Sequence, residues 1–105
     1  MARDLDLSVE RYVALVDYLP GEEEAEEVMY TFLYRDEVHD ALKAGGKLPV
    51  PLAERLEEAD RKVMSMREDL VRRFPGVFID RAPREYWWWH LDKGLQVPEK
   101  AQDAA

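Results

Sequence analysis

The chain has 105 residues, a formal net charge of −8 and no cysteine. A chain of this length forms one domain by default, and the lack of cysteine excludes disulfides, thiolate zinc sites and thiol nucleophiles. The negative charge argues against nonspecific binding of nucleic acid, in which neutralisation of phosphates supplies most of the affinity.

The first predicted element is a helix that follows a short arm at residues 1–7. Apolar residues recur at helical spacing from Ser8, which can cap the helix, and the sequence LPG at 19–21 ends it. Residues 22–44 form a second, longer predicted helix. Five glutamates lie near its start, where negative charge is favoured, and two glycines follow its last turn.

A proline-flanked connector at residues 47–51 leads to the third predicted helix, which ends at the sequence FPG at 74–76. Its apolar residues follow one another at alternating spacings of four and three, which is a heptad pattern. They are Leu52, Leu56, Ala59, Val63, Met66 and Leu70. Because only a short connector joins them, the second and third helices are predicted to form a long antiparallel hairpin.

The last part of the chain is predicted to be an extended strap at 75–82 and a short helix at 83–94. Residues 98–105 are small and polar, so we expect a flexible tail after a single helical domain at 1–97. The predicted fold class is therefore all-α. A long antiparallel helical hairpin would carry an N-terminal helix and a short tryptophan-rich C-terminal helix.

Three consecutive tryptophans lie in the predicted fourth helix. Successive residues of a helix turn by about 100°, so the three side chains cannot face one flat surface. Three alternative roles are consistent with the sequence: packing in the core, anchoring an interface, or forming an aromatic cage for a cation. The second helix is also apolar on more than one face. The predicted interaction residues are Trp87, Trp88, Trp89, Tyr86, Tyr34 and Val38.

Asp36 and His39 lie three residues apart, and hence on one face of the second predicted helix. A carboxylate and an imidazole at this spacing resemble the ligands of metal sites in helical bundles. Asp60 flanks the apolar face of the third helix, so these three residues are candidate ligands for a divalent metal at a subunit interface. The alternative is a buried network of ion pairs that also includes Arg35 and Arg67.

The sequence contains no nucleophile elbow and no phosphate-binding glycine loop, so it gives no positive indication of an enzyme. We expect an interaction or structural module that acts as a homodimer or binds another protein. The alternative function is a metal-binding protein or hydrolase with its site at the subunit interface.

Two further expectations concern the source and location of the protein. The chain has no asparagine, one threonine and one isoleucine among many charged residues, which favours a thermophile or a GC-rich genome. No apolar stretch has the length of a signal peptide or of a membrane span, which needs about 20 residues. We therefore expect a cytoplasmic protein that does not bind a membrane.

Overall fold

The computed structural model describes residues 3–78 and 82–93, and these residues are mostly helical and contain no β-strand. The four α-helices of the described residues are α1 (Arg3–Tyr18), α2 (Ala25–Lys43), α3 (Val50–Ser65) and α4 (Arg67–Arg73). Single 3₁₀ turns lie at Leu19–Gly21, Pro75–Val77, Trp87–Trp89 and Leu91–Lys93. The predicted all-α class is therefore confirmed. Within the described ranges, no helix is both long and apolar enough to cross a membrane.

The first helix packs closely against both α2 and α3. Its inner face carries Val9, Tyr12 and Val16, which are buried. The predicted hairpin, in which α2 packs directly on α3 along its length, is not confirmed. The extensive helix contacts of both α2 and α3 are with α1 instead.

The first and second helices run in opposite directions. The Ser8 hydroxyl donates a hydrogen bond to the Glu37 carboxylate over 3.0 Å. One turn further along α1, and one turn back along α2, the Arg11 guanidinium lies 5.8 Å from the centre of the Tyr34 ring. These contacts place the outer faces of the two helices side by side.

The first helix begins at Arg3, so the prediction of an arm is wrong for residues 3–7. Leu5 is buried and continues the inner face one turn before Val9. Asp4 and Asp6 also stabilise this start, because negative charge is favoured in the first turn of a helix. The amphipathic pattern therefore extended further towards the N-terminus than the capping residue Ser8 indicated.

The third predicted helix is divided at Met66, where the backbone leaves the helical conformation (φ −97°, ψ 6°). The Ser65 hydroxyl donates to the Lys62 carbonyl oxygen over 2.7 Å, and such bonds compete with the helical ladder. The predicted apolar face is confirmed, because its members are buried except for the partly buried Met66.

The C-terminal part departs most from the predictions. Trp87–Trp89 and Leu91–Lys93 are separate 3₁₀ turns, so the predicted fourth helix is wrong. The predicted extended strap begins with the 3₁₀ turn Pro75–Val77, and only Phe78 of its first four residues is extended. Residues 79–81 of the strap and the predicted tail at 98–105 lie outside the described residues.

Candidate functional site

The three tryptophans are buried within the chain, with exposed fractions of 3%, 0% and 4% in sequence order. Trp89 meets the Phe32 ring edge-on at a centroid distance of 5.6 Å, and Trp87 meets Trp88 edge-on at 5.4 Å. Short 3₁₀ turns allow adjacent indoles to point in different directions, as the 87° between the planes of Trp87 and Trp88 shows. The burial supports packing in the core among the alternatives that the sequence left open.

Asp36 joins the tryptophans to α2. Its Oδ1 atom accepts hydrogen bonds from the indole nitrogens of Trp88 and Trp89, over 2.7 and 2.9 Å. Burial raises the pKa of the Asp36 carboxyl above its ordinary value, despite the opposing effect of the two indole hydrogen bonds. The neighbouring charge of Asp40 acts in the same direction as burial. The role of Asp36 is therefore that of a hydrogen-bond acceptor whose negative charge is unfavourable.

We expect Asp36→Asn to be at least as stable as the wild type at pH 7. The amide oxygen can accept both indole hydrogen bonds and carries no charge. Because the folded-state pKa of Asp36 lies above the unfolded value, its contribution to stability falls as the pH rises through these two values. The advantage of Asp36→Asn should therefore shrink when the pH is lowered through the same window.

The matched variant is Asp36→Leu, which leaves two indole N–H groups without an acceptor. It should lose at least about 1–3 kcal/mol of unfolding free energy, which is the typical cost of a single unsatisfied buried donor. Urea denaturation at pH 7 measures both variants. Equal losses for the Asn and Leu variants would contradict the assigned role of Asp36.

A buried ion pair links α2 to α3. The Nε and Nη2 atoms of Arg35 donate to the two carboxylate oxygens of Asp60, each over 3.0 Å, and the Tyr12 hydroxyl donates to the same carboxylate over 2.7 Å. Burial alone would lower the pKa of Arg35, but the facing Asp60 carboxylate raises it above its ordinary value. Burial also raises the pKa of Tyr12. The Arg35 guanidinium lies 4.5 Å from the centre of a Trp88 ring, within the range of cation–π attraction.

A second polar cluster lies nearer the surface, where residues 85 and 86 meet the last two turns of α2. The Glu85 carboxylate pairs with Lys43 over 3.0 Å and with the His39 ring over 3.3 Å, and these hydrogen bonds lower its pKa. The Tyr86 hydroxyl donates to Asp40, and this hydrogen bond raises the pKa of Tyr86 to about 12. These contacts hold the C-terminal aromatic segment against α2.

The three candidate metal ligands have different partners in the structure. Asp36 binds two indoles, His39 faces Glu85, and Asp60 pairs with Arg35. Within residues 3–78 and 82–93, no three acidic or histidine side chains are close enough to hold a metal ion together. Of the alternative ion network, the pair of Arg35 and Asp60 is present, whereas Arg67 donates to the Leu91 carbonyl oxygen over 2.9 Å.

An apolar groove of about 600 Å³ runs between the outer faces of α1 and α2. Its lining residues are Arg11, Ala14, Leu15, Glu27, Tyr30, Leu33, Tyr34 and Glu37. We call this surface the α1–α2 groove. Tyr34 was among the predicted interaction residues and lines it, whereas Val38, also predicted, is fully buried beneath the surface.

Exposed apolar side chains are concentrated on the two helices that form this groove. Of the six large apolar side chains that are exposed in the described part of the chain, only Val50 lies elsewhere. The other five are Leu7, Tyr18, Met29, Tyr30 and Leu33. Leu15 lines the groove, whereas Leu7 and Tyr18 do not. The spacing of these three residues places them on one face of α1, a sequence signal that the prediction of interaction residues did not use.

Comparison of the chain with protein-family models, curated proteins and solved structures gave no match. The function is therefore inferred from the geometry of the chain itself. Among the described residues, the α1–α2 groove exposes the apolar side chains of Tyr30 and Leu33.

Proposed function

We propose that this protein is a structural or interaction module that acts as a homodimer through the α1–α2 groove. The proposal is based on the apolar groove, in which Tyr30 and Leu33 are exposed, and on three further exposed apolar side chains of the same two helices. Neighbouring exposed apolar side chains are a feature of interaction sites. Tyrosine and arginine, which are enriched in interfaces, both line it.

A second copy fits this surface for two physical reasons. A two-fold axis pairs the same patch on both subunits, and two pairs of antiparallel helices pack well as a four-helix arrangement. The helices are about 24 and 28 Å long, so their outer faces offer a long area of contact. The three tryptophans are buried within the chain and are not available for association, whereas Tyr30 and Leu33 of the groove are exposed.

Light scattering coupled to size exclusion tests the proposal. At tens of micromolar, the wild type should have about twice the chain mass of 12.3 kDa. Leu33→Glu should be monomeric, because burying an unpaired charge in an apolar interface is strongly unfavourable.

Val50→Glu is the matched control, since Val50 is 69% exposed and lies outside the groove. It should remain dimeric. A wild type with the mass of one chain would refute the proposed function. A dimer that persists in Leu33→Glu would place the interface elsewhere.

A further inference from the structure

The two ends of the α1–α2 groove differ in charge. Arg11 lies beside Tyr34 towards one end, whereas Glu27 precedes Tyr34 by two turns of α2 and lies towards the other. Glu27 also belongs to the glutamate-rich start of α2. Glu37 lies one turn of α2 beyond Tyr34, at the same end as Arg11. That end therefore holds one basic and one acidic group, whereas the other end is strongly acidic.

These two charged groups have no ion-pair partner among the described residues. Arg11 contacts the Tyr34 ring, and its guanidinium forms no salt bridge there. The exposed carboxylate of Glu27 also forms no salt bridge with a described residue. Glu37 differs in that it accepts a hydrogen bond from the Ser8 hydroxyl. Arg11 and Glu27 are thus available to a partner along the groove.

We propose that the two copies pack antiparallel across the groove, so that Arg11 of each subunit pairs with Glu27 of the partner subunit. This arrangement rests on the proposed homodimer. A two-fold axis perpendicular to the groove brings the end that holds Arg11 opposite the acidic end of the second copy, twice per dimer. A parallel arrangement would instead place Glu27 opposite the partner's Glu27, and like charges in contact oppose association.

The apolar residues lie between the charged ends and form the centre of this interface. Leu15, Tyr30 and Leu33 supply the contact area, and the small side chain of Ala14 allows the helices to approach closely. In such an interface the apolar centre provides most of the affinity, while the charged pairs at the rim determine orientation. The choice between antiparallel and parallel packing therefore depends on Arg11 and Glu27.

Charge reversal tests this arrangement. Sedimentation equilibrium at low salt gives the dissociation constants of the wild type, Arg11→Glu, Glu27→Arg and the double variant. Each single variant creates two like-charge contacts per dimer and should weaken the dimer roughly tenfold, because the rim pairs are partly screened by solvent. The double variant restores both opposite-charge pairs and should return to within about threefold of the wild type.

Glu26→Arg is the control for net charge. Glu26 is exposed and adjacent to Glu27, but it does not line the groove, so its reversal should not weaken the dimer. A double variant as weak as the single variants would overturn the antiparallel pairing, even if the wild type is a dimer and the proposed function stands. A monomeric wild type would overturn both.

Discussion

Replacing Trp88 by alanine is expected to lower the free energy of unfolding by about 3–5 kcal/mol, as for other large buried aromatic residues. Trp88 is the largest of the fully buried side chains in the described residues. Its removal creates a cavity beside Trp87. The Arg35 guanidinium also loses its cation–π contact with the Trp88 ring. The indole hydrogen bond to Asp36 is lost as well.

Urea denaturation followed by circular dichroism measures this loss. Val50→Ala is the control, because Val50 is exposed at the start of α3 and surface changes usually stay within about 0.5 kcal/mol. Similar losses for the two variants would mean that Trp88 does not belong to the core.

Replacing Asp60 by leucine is expected to cost about 3–5 kcal/mol, because it leaves the buried Arg35 guanidinium without its counter-charge. The Tyr12 hydroxyl loses its acceptor in the same variant. Apolar residues of similar size can often replace a buried ion pair. The net contribution of the Arg35–Asp60 pair to stability is therefore smaller than the stability lost when only one partner is removed.

The double variant Arg35→Met/Asp60→Leu separates these two effects. It should recover most of the stability that Asp60→Leu loses, since no unpaired charge remains. Denaturation of the wild type, both single variants and the double variant completes the cycle. A double variant that is as unstable as the sum of the single variants would contradict the direct coupling of Arg35 and Asp60.

Much of the local structure could be predicted from sequence, because it depends on neighbouring residues. The heptad pattern identified the buried face of α3 from Leu52 to Val63. Gly45 was expected to end α2, and its φ of 104° lies in the left-handed region that glycine favours. Helix periodicity and turn residues act over a few positions, and a single sequence displays them directly.

The packing partners of the helices could not be predicted in the same way. Short connections join α2 to both α1 and α3. The sequence pattern does not determine which of these two helices α2 packs against. The structure places α1 against α2, which determines that Tyr30 and Leu33 lie on the outer face. The same apolar pattern on α2 would have fitted the predicted hairpin with α3.

The C-terminal contacts depend on residues far apart in the chain. Asp36 and Trp88 are 52 positions apart, and their hydrogen bond can form only where the tertiary fold brings the C-terminal segment to α2. The sequence indicated that Asp36 and His39 share a helix face. It could not indicate that Asp36 would accept hydrogen bonds from two indoles, or that His39 would face Glu85.

Site-specific cross-linking tests whether the α1–α2 groove holds a second copy of this chain. The wild type has no cysteine, so Ala14→Cys, near the centre of the groove, and Val50→Cys, outside it, each introduce a single thiol. With a short bismaleimide, we expect Ala14→Cys to form a covalent dimer in high yield and Val50→Cys to remain largely monomeric. Equally low yields for the two variants would mean that the groove does not hold a second copy.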